Sequence, residues 1–171
     1  MRLEAHVLCP GEASGPLLVL SEPLSFWGGF DPRTGLILDT HHPQCGLCLS
    51  GCILLMPQTR GSGSAPGALA EAIRCKTAPS GIILRERDVN LAIGSLVAAS
   101  LYGRQCPILT VEDGSYDSLA AASHATIAAD GTISAEFRTG TWVHPGGGRQ
   151  DHTTLMRFDG RGVLMSARDR E

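Results

Sequence analysis

The chain is 171 residues long, 43% hydrophobic, and carries 14 basic against 17 acidic residues for a net charge of -3. That size suits one globular domain, or one domain with a tail, and a near-neutral balance without a basic stripe argues against nucleic acid as a partner. No uninterrupted apolar stretch approaches the ~20 residues of a spanning helix, and Arg2 and Glu4 place charge where a signal peptide would be apolar, so no membrane partner is expected and the chain reads as cytoplasmic.

Residues 3–20 read as two short strands around a turn-rich connection at 10–16, the second strand being 17–20. Next, Phe26-Trp27-Gly28-Gly29-Phe30 precedes an Asp31-Pro32 turn and the strand-like 36–38. The paired glycines read as a bulge at a barrel corner that packs an aromatic plug. His41 and His42 lead off that strand. Because Pro43 favours an extended His42, their side chains should point in opposite directions, and at most one faces a given site. Six cysteines without a signal segment favour free thiols. Cys45, Cys48 and Cys52 have the compact spacing of thiolate metal ligands, with His41 or His42 as a possible fourth donor. Cys52 also opens the apolar run 52–56, where a strand thiol is simply buried, so no metal is expected on this chain.

The run 52–56 leads through a glycine- and serine-rich loop into a helix over 68–75, and this junction is the best candidate for chemistry. A strand that ends in such a loop and enters a helix presents free N–H groups at the positive end of the helix dipole, where an anion is favoured. Ser62 lies between Gly61 and Gly63, whose backbones can take φ values closed to other residues. Pro66 suits the first helical turn, with Ser64 or Ala65 as the cap. The competing interpretation is an ordinary capped helix after a flexible loop.

After the breaker at 76–81 come a strand over 82–84 and a second helix, from the N-cap Asp88 to the stop at Gly103. In that helix Leu91, Ala92, Ser95, Leu96, Ala99 and Tyr102 recur at helical spacing. A strand over 107–111 completes a β-α-β-α-β alternation, which favours parallel pairing with helices packed on the sheet. The strand-rich first third makes the whole a mixed α/β domain, in which a β-rich barrel or sandwich adjoins an α/β layer. Beyond Val111 the chain turns small and polar, with a hairpin at 126–133 around Ala129-Asp130-Gly131. The domain is expected to span 1–137. Residues 138–171 read as a loosely ordered extension whose Gly146-Gly147-Gly148 lacks the lysine and helix of a phosphate-binding P-loop.

Several blocks occur in a telling order: Gly11-Glu12-Ala13-Ser14-Gly15-Pro16, then Ser21-Glu22-Pro23-Leu24-Ser25-Phe26-Trp27-Gly28-Gly29-Phe30-Asp31-Pro32, then His41-His42-Pro43, Arg60-Gly61-Ser62, Leu69-Ala70-Glu71-Ala72-Ile73, Thr77-Ala78-Pro79 and Leu101-Tyr102-Gly103. In these blocks the chain resembles the small subunit, or swivel domain, of the aconitase X family. The resemblance implies a swivelling β/β/α domain, inactive alone, that closes over a large catalytic subunit carrying an iron-sulfur cluster or iron, with no cofactor on this chain. It implies a hydro-lyase that dehydrates a β-hydroxy acid: cis-3-hydroxy-L-proline in bacterial members, mevalonate 5-phosphate in archaeal ones. By the same resemblance Ser62 matches the serine that removes the proton α to the substrate carboxylate, with Arg60, Gly61, Gly63 and Ser64 as the residues that bind substrate beside it.

Relatives carry a run of serines after Arg-Gly-Ser, whereas this chain interleaves Gly63, Ala65 and Pro66, and Gln58-Thr59 replaces the usual Ser-Gly. His41-His42-Pro43 looks more like bacterial members, which favours hydroxyproline. An apolar surface is expected on the side bearing the Ser62 loop, for docking the partner. Two other readings compete. One is a carboxylate- or phosphate-binding module that has lost catalysis, and the other a small metal or redox protein built on Cys45, Cys48 and Cys52.

Overall fold

Strand β4 (Ile53–Met56) is apolar at every position because both of its faces are covered. Ile53 and Leu55 point into one buried cluster, with Ile83, Leu109, Tyr116 and Ile127, while Leu54 and Met56 point into the other, with Leu69, Ile82, Leu84 and Leu91. The computed structural model describes residues 1–61, 63–137, 155–158 and 164–168. Around β4 stand β1 (Arg2–Leu3), β2 (His6–Cys9), β3 (Ala13–Val19), α1 (Ala65–Cys75), β5 (Gly81–Leu84), α2 (Val89–Tyr102), β6 (Ile108–Thr110), α3 (Asp113–Leu119), β7 (His124–Ile127) and β8 (Ile133–Glu136).

The strands form one eight-stranded sheet in the order β1-β8-β7-β3-β4-β5-β6-β2. Strands β3, β4, β5 and β6 pair in parallel, as the β-α-β-α-β alternation requires, and β2 closes antiparallel on β6. Strands β1 and β2 sit at opposite ends of that order, yet only Glu4 and Ala5 separate them. A link this short spans about 10 Å, so the sheet must curl until its ends meet. Gly131, at φ +84° in the turn between β7 and β8, then lies against Val7 of β2 with no room for a Cβ. The fold is thus a mixed α/β domain in which a curled sheet carries α1 and α2 on one face.

Four local expectations are corrected. The supposed turn at 10–16 is mostly strand: β3 runs through Gly15 and Pro16, pairing antiparallel with β7 over its first half and parallel with β4 over its second. Glycine is needed at 15 because a Cβ would stand 2.6 Å from the Gly51 carbonyl oxygen, so here it marks a close approach and not a turn. Residues 36–38 form isolated bridges, Phe30 to Ile37 and Leu36 to Cys48, instead of a strand. Helix α1 begins at Ala65, three residues earlier than expected, with Ser64 at the N-cap position and Pro66 in the first turn. Helix α3 lies in the stretch read as merely polar. Its Tyr116 and Leu119 are buried, and Arg85 reaches Asp117 at 2.6 Å while lying 4.3 Å over the Tyr116 ring.

Other expectations hold. The aromatic plug is Phe26 with Phe30, both buried with ring centroids 5.1 Å apart, while Trp27 points outward at 60% exposure. The hairpin of β7 and β8 forms, and Thr132 N–H donates to Asp130 Oδ1 at 2.8 Å within its turn. Helix α2 starts where Asp88 Oδ1 accepts from Asn90 N (2.7 Å) and Leu91 N (3.2 Å), and it ends at Gly103 with φ +63°. It packs on α1 through Gly94, where a Cβ would lie 2.6 Å from the Pro66 carbonyl oxygen. Its sequence is apolar all round. Leu96 and Tyr102, read from spacing as part of the packed face, stand exposed beside Val89, Ile93, Val97 and Leu101. Of the expected extension at 138–171, an antiparallel pair is described, β9 (Leu155–Phe158) and β10 (Leu164–Arg168); the remainder, including Gly146 to Gly148, lies outside the described residues.

Candidate functional site

Residues 57–64 connect β4 to α1 at the carboxyl end of the parallel strands, the edge where ligands bind in open α/β sheets. Three fastenings hold this loop. Thr59 bridges Leu24 in parallel, and Arg60 N–H donates to the Leu24 carbonyl at 3.0 Å. Glu86 N–H donates to the Pro57 carbonyl at 3.0 Å. The Thr59 hydroxyl donates to Asp88 Oδ2, the carboxylate whose other oxygen caps α2. The loop is therefore rigidly based although Arg60, Gly61, Gly63 and Ser64 are all exposed.

Ser62, the residue singled out as base, lies outside the described residues. Among the described residues, a Cβ at Gly61 or at Gly63 would meet nothing within 4 Å.

The guanidinium of Arg60 faces two carboxylates: Nη1 is 3.6 Å from Asp39 Oδ2 and Nη2 is 3.4 Å from Glu22 Oε2. Asp39 is fixed in turn, because its Oδ1 accepts the His41 backbone N–H at 2.9 Å. That hydrogen bond, with His41 and Arg60 nearby, holds the Asp39 carboxyl below the usual carboxylate range. Neither Glu22 nor Asp39 stands out in the sequence. Glu22 belongs to a matching block, but nothing local links it to an arginine 38 residues away.

The two histidines do point apart, His41 exposed and His42 buried, though the reason is a turn and not strand alternation: His42 N–H donates to the Asp39 carbonyl at 3.0 Å. His42 Nδ1 accepts from Gln44 N (3.1 Å), which leaves Nε2 to donate to the Glu22 carbonyl (3.2 Å). It pins the segment that carries Glu22 and Leu24 to the turn that carries Asp39.

The cysteines do not fit a metal or a cluster. All six are free. Cys52 is buried, donates to the Leu49 carbonyl at 3.1 Å, and burial pushes its thiol up to about 12, away from the thiolate a metal needs. Cys45 and Cys48 are exposed, and hydrogen bonding from the Ser50 side chain and backbone, which favours the thiolate, holds the Cys48 thiol below its usual range. Among the described residues no three histidine, cysteine or acidic side chains come together as a metal site would require.

A family model for the aconitase X swivel domain matches residues 2–135. The chain belongs to this family. Cis-3-hydroxy-L-proline dehydratase of Pseudomonas aeruginosa is 43% identical over 134 residues, which is 75% of this chain and 23% of that protein. The phosphomevalonate dehydratase small subunit of Methanothermobacter thermautotrophicus is 37% identical over 98 residues, 57% of this chain and 75% of that one. The chain thus spans under a quarter of the length of the cis-3-hydroxy-L-proline dehydratases it matches, 23% and 21% in two cases. In structure the swivel domain is similar to a chain of the aconitase X of Thermococcus kodakaraensis, solved in its holo-form. The TM-score is 0.68 at 26% identity, over 79% of this chain and 98% of that one.

Proposed function

We propose that this swivel domain is the small component of a hydro-lyase that dehydrates cis-3-hydroxy-L-proline, with Ser62 as the base that removes the proton α to the carboxylate. The observation that carries the reading is the loop of residues 57–64: firmly fastened at its base, exposed at its tip, and glycine-lined where, among the described residues, nothing lies within 4 Å of a Cβ added at Gly61 or Gly63. Such a tip suits a substrate held between two proteins. Ser62 Oγ, as an alkoxide, takes the proton, the C–H electron pair forms the double bond, and the β-hydroxyl leaves, so proton and hydroxide together amount to one water. A serine hydroxyl is a weak acid and needs nearby positive charge to ionise. Arg60, the Gly63 and Ser64 N–H groups and the start of α1 are local sources. Arg60 and Gly61 complete the substrate contacts of this proposal.

The partner is a large catalytic subunit, and an iron or iron-sulfur centre there would polarise the leaving hydroxyl. On this chain Cys52, buried with its thiol pushed up to about 12, does not fit such a group, and no three metal-ligating side chains come together among the described residues. Naming of the archaeal relatives as small subunits and the uncovered apolar strip of α2 support a partner. That strip starts at the loop's own fastening, since α2 follows directly on Asp88. Hydroxyproline is preferred over mevalonate 5-phosphate because one of the former's dehydratases matches at 43% over 134 residues, whereas phosphomevalonate dehydratase small subunits reach 42% over 97 residues or 135 residues at 28%.

The test is turnover of both compounds by the chain co-purified anaerobically with its large partner, as wild type and as Ser62→Ala. We expect cis-3-hydroxy-L-proline to be dehydrated, and Ser62→Ala to lose about 10²–10⁴-fold in rate while the two chains still associate. Turnover of mevalonate 5-phosphate instead would replace the substrate, and undiminished turnover by Ser62→Ala would remove the base.

A further inference from the structure

Arg60 shares its guanidinium between two carboxylates that are held very differently. Asp39 is partly buried, with side-chain exposure of 22%; one oxygen stands 3.6 Å from Arg60 Nη1 and the other accepts the His41 N–H. Glu22 is half exposed at 49% and offers a single oxygen to Arg60 at 3.4 Å. Its backbone, by contrast, is fixed, since its carbonyl accepts from the buried His42 ring. One carboxylate is an anchor and the other a loosely held occupant on a fixed stem.

A half-exposed single-oxygen pair is weak, whereas a carboxylate that meets a guanidinium with both oxygens makes two parallel charge-assisted hydrogen bonds. An incoming carboxylate can therefore displace the Glu22 side chain more readily than that of Asp39, which the His41 N–H holds in place. Both candidate substrates carry a carboxylate. Arg60 immediately precedes Gly61 at the exposed tip, and about half of its side chain is open to a ligand that reaches the loop.

We infer that Glu22 is an internal stand-in for the substrate carboxylate: it occupies Nη2 of Arg60 in the free protein and is displaced on binding, while Asp39 keeps Nη1 and sets the guanidinium's direction. Glu22 and Asp39 are positioning residues that act through Arg60. The inference deepens the proposed function and rests on its reading of Arg60 as a substrate contact. In this arrangement Glu22 competes with every carboxylate ligand. Removing its charge tightens binding, which a merely structural ion pair would not do.

The experiment has two arms. In the first, the isolated chain is titrated with sodium acetate at constant ionic strength, and the Arg60 side-chain and Gly61 amide signals are followed by NMR. Glu22→Gln is expected to bind acetate about two- to fivefold more tightly than wild type, the range set by the strength of an exposed ion pair. In an Arg60→Gln background the gain should vanish. Equal affinities in wild type and Glu22→Gln, no binding by either, or a gain that survives Arg60→Gln would overturn the exchange. In the second arm, the complex with the large partner is assayed on cis-3-hydroxy-L-proline. Glu22→Gln should lower KM and raise kcat/KM by the same factor, and a raised KM would overturn the inference. If wild-type complex turns over nothing, the proposed function fails by itself, and the acetate arm still decides whether Glu22 yields Arg60 to a carboxylate.

Discussion

Helices α1 and α2 both begin at the carboxyl ends of neighbouring parallel strands, β4 and β5, yet their first turns are finished in opposite ways. At α2, Asp88 accepts from two N–H groups and also from the Thr59 hydroxyl, so the positive end of the helix is neutralised by its own chain. At α1, Ser64 holds the N-cap position without a side-chain cap hydrogen bond, Pro66 brings no N–H, and the first turn has no acidic residue. One helix start is closed by the side chain at its cap, and the other has no such side-chain cap. Within two adjacent βα units the same geometry serves as scaffold once and as a candidate site once, and the side chains at the cap make the difference.

The sharpest way to break this contrast is to fill two glycines. Gly94→Ala forces a Cβ against the Pro66 carbonyl at 2.6 Å, where α1 meets α2, and should lower stability by about 1–3 kcal/mol in urea denaturation. Gly61→Ala meets open space and should stay within about 0.5 kcal/mol of wild type in the same measurement. Equal losses would mean that the loop tip is as tightly packed as the helix contact. Next in size is the α2 cap. Asp88→Ala removes both α2 hydrogen bonds and the Thr59 fastening and should cost about 0.5–2 kcal/mol, again by urea denaturation.

The smallest effect is at the far end of α1. Arg74 hydrogen-bonds Glu71 and holds its carboxyl at about 2 against an ordinary 4.5. Because the folded-state pKa is depressed, the pair's contribution is complete above pH 4.5 and is lost as pH falls towards 2. The Tm difference between wild type and Glu71→Gln should therefore be constant above that window and shrink within it. A difference that grows on acidification would reverse the sign.

Residues whose instructions are local are legible in the amino-acid order alone. Asp88 and Gly103 bracket α2, Pro66 marks the first turn of α1, and Ala129-Asp130-Gly131 turns the last hairpin. The loop of the candidate site is legible too, because its composition sits between a buried strand and a helix, and because the order of its blocks matches a family. Illegible are the features whose cause lies far along the chain. Pro16 and Gly15 read as a turn because the Gly51 carbonyl that excludes a Cβ cannot be seen from either residue. The polar stretch of α3 is helical because Arg85 gathers Asp117 and Tyr116 and because Leu119 is buried, none of which its own periodicity announces.

By itself, then, the sequence determined the β-α-β-α-β succession from residue 52 to residue 111, its parallel pairing, and the family. These follow from hydrophobic period, caps and turn chemistry within a few residues. Only the tertiary structure decided that Asp39 and Glu22 share Arg60. The curled sheet brings the Leu24 segment beside Thr59, and the buried His42 locks Glu22 to the turn bearing Asp39. Contacts of that kind depend on where distant backbone hydrogen bonds place three charges, and no local pattern of residue types encodes such a distance.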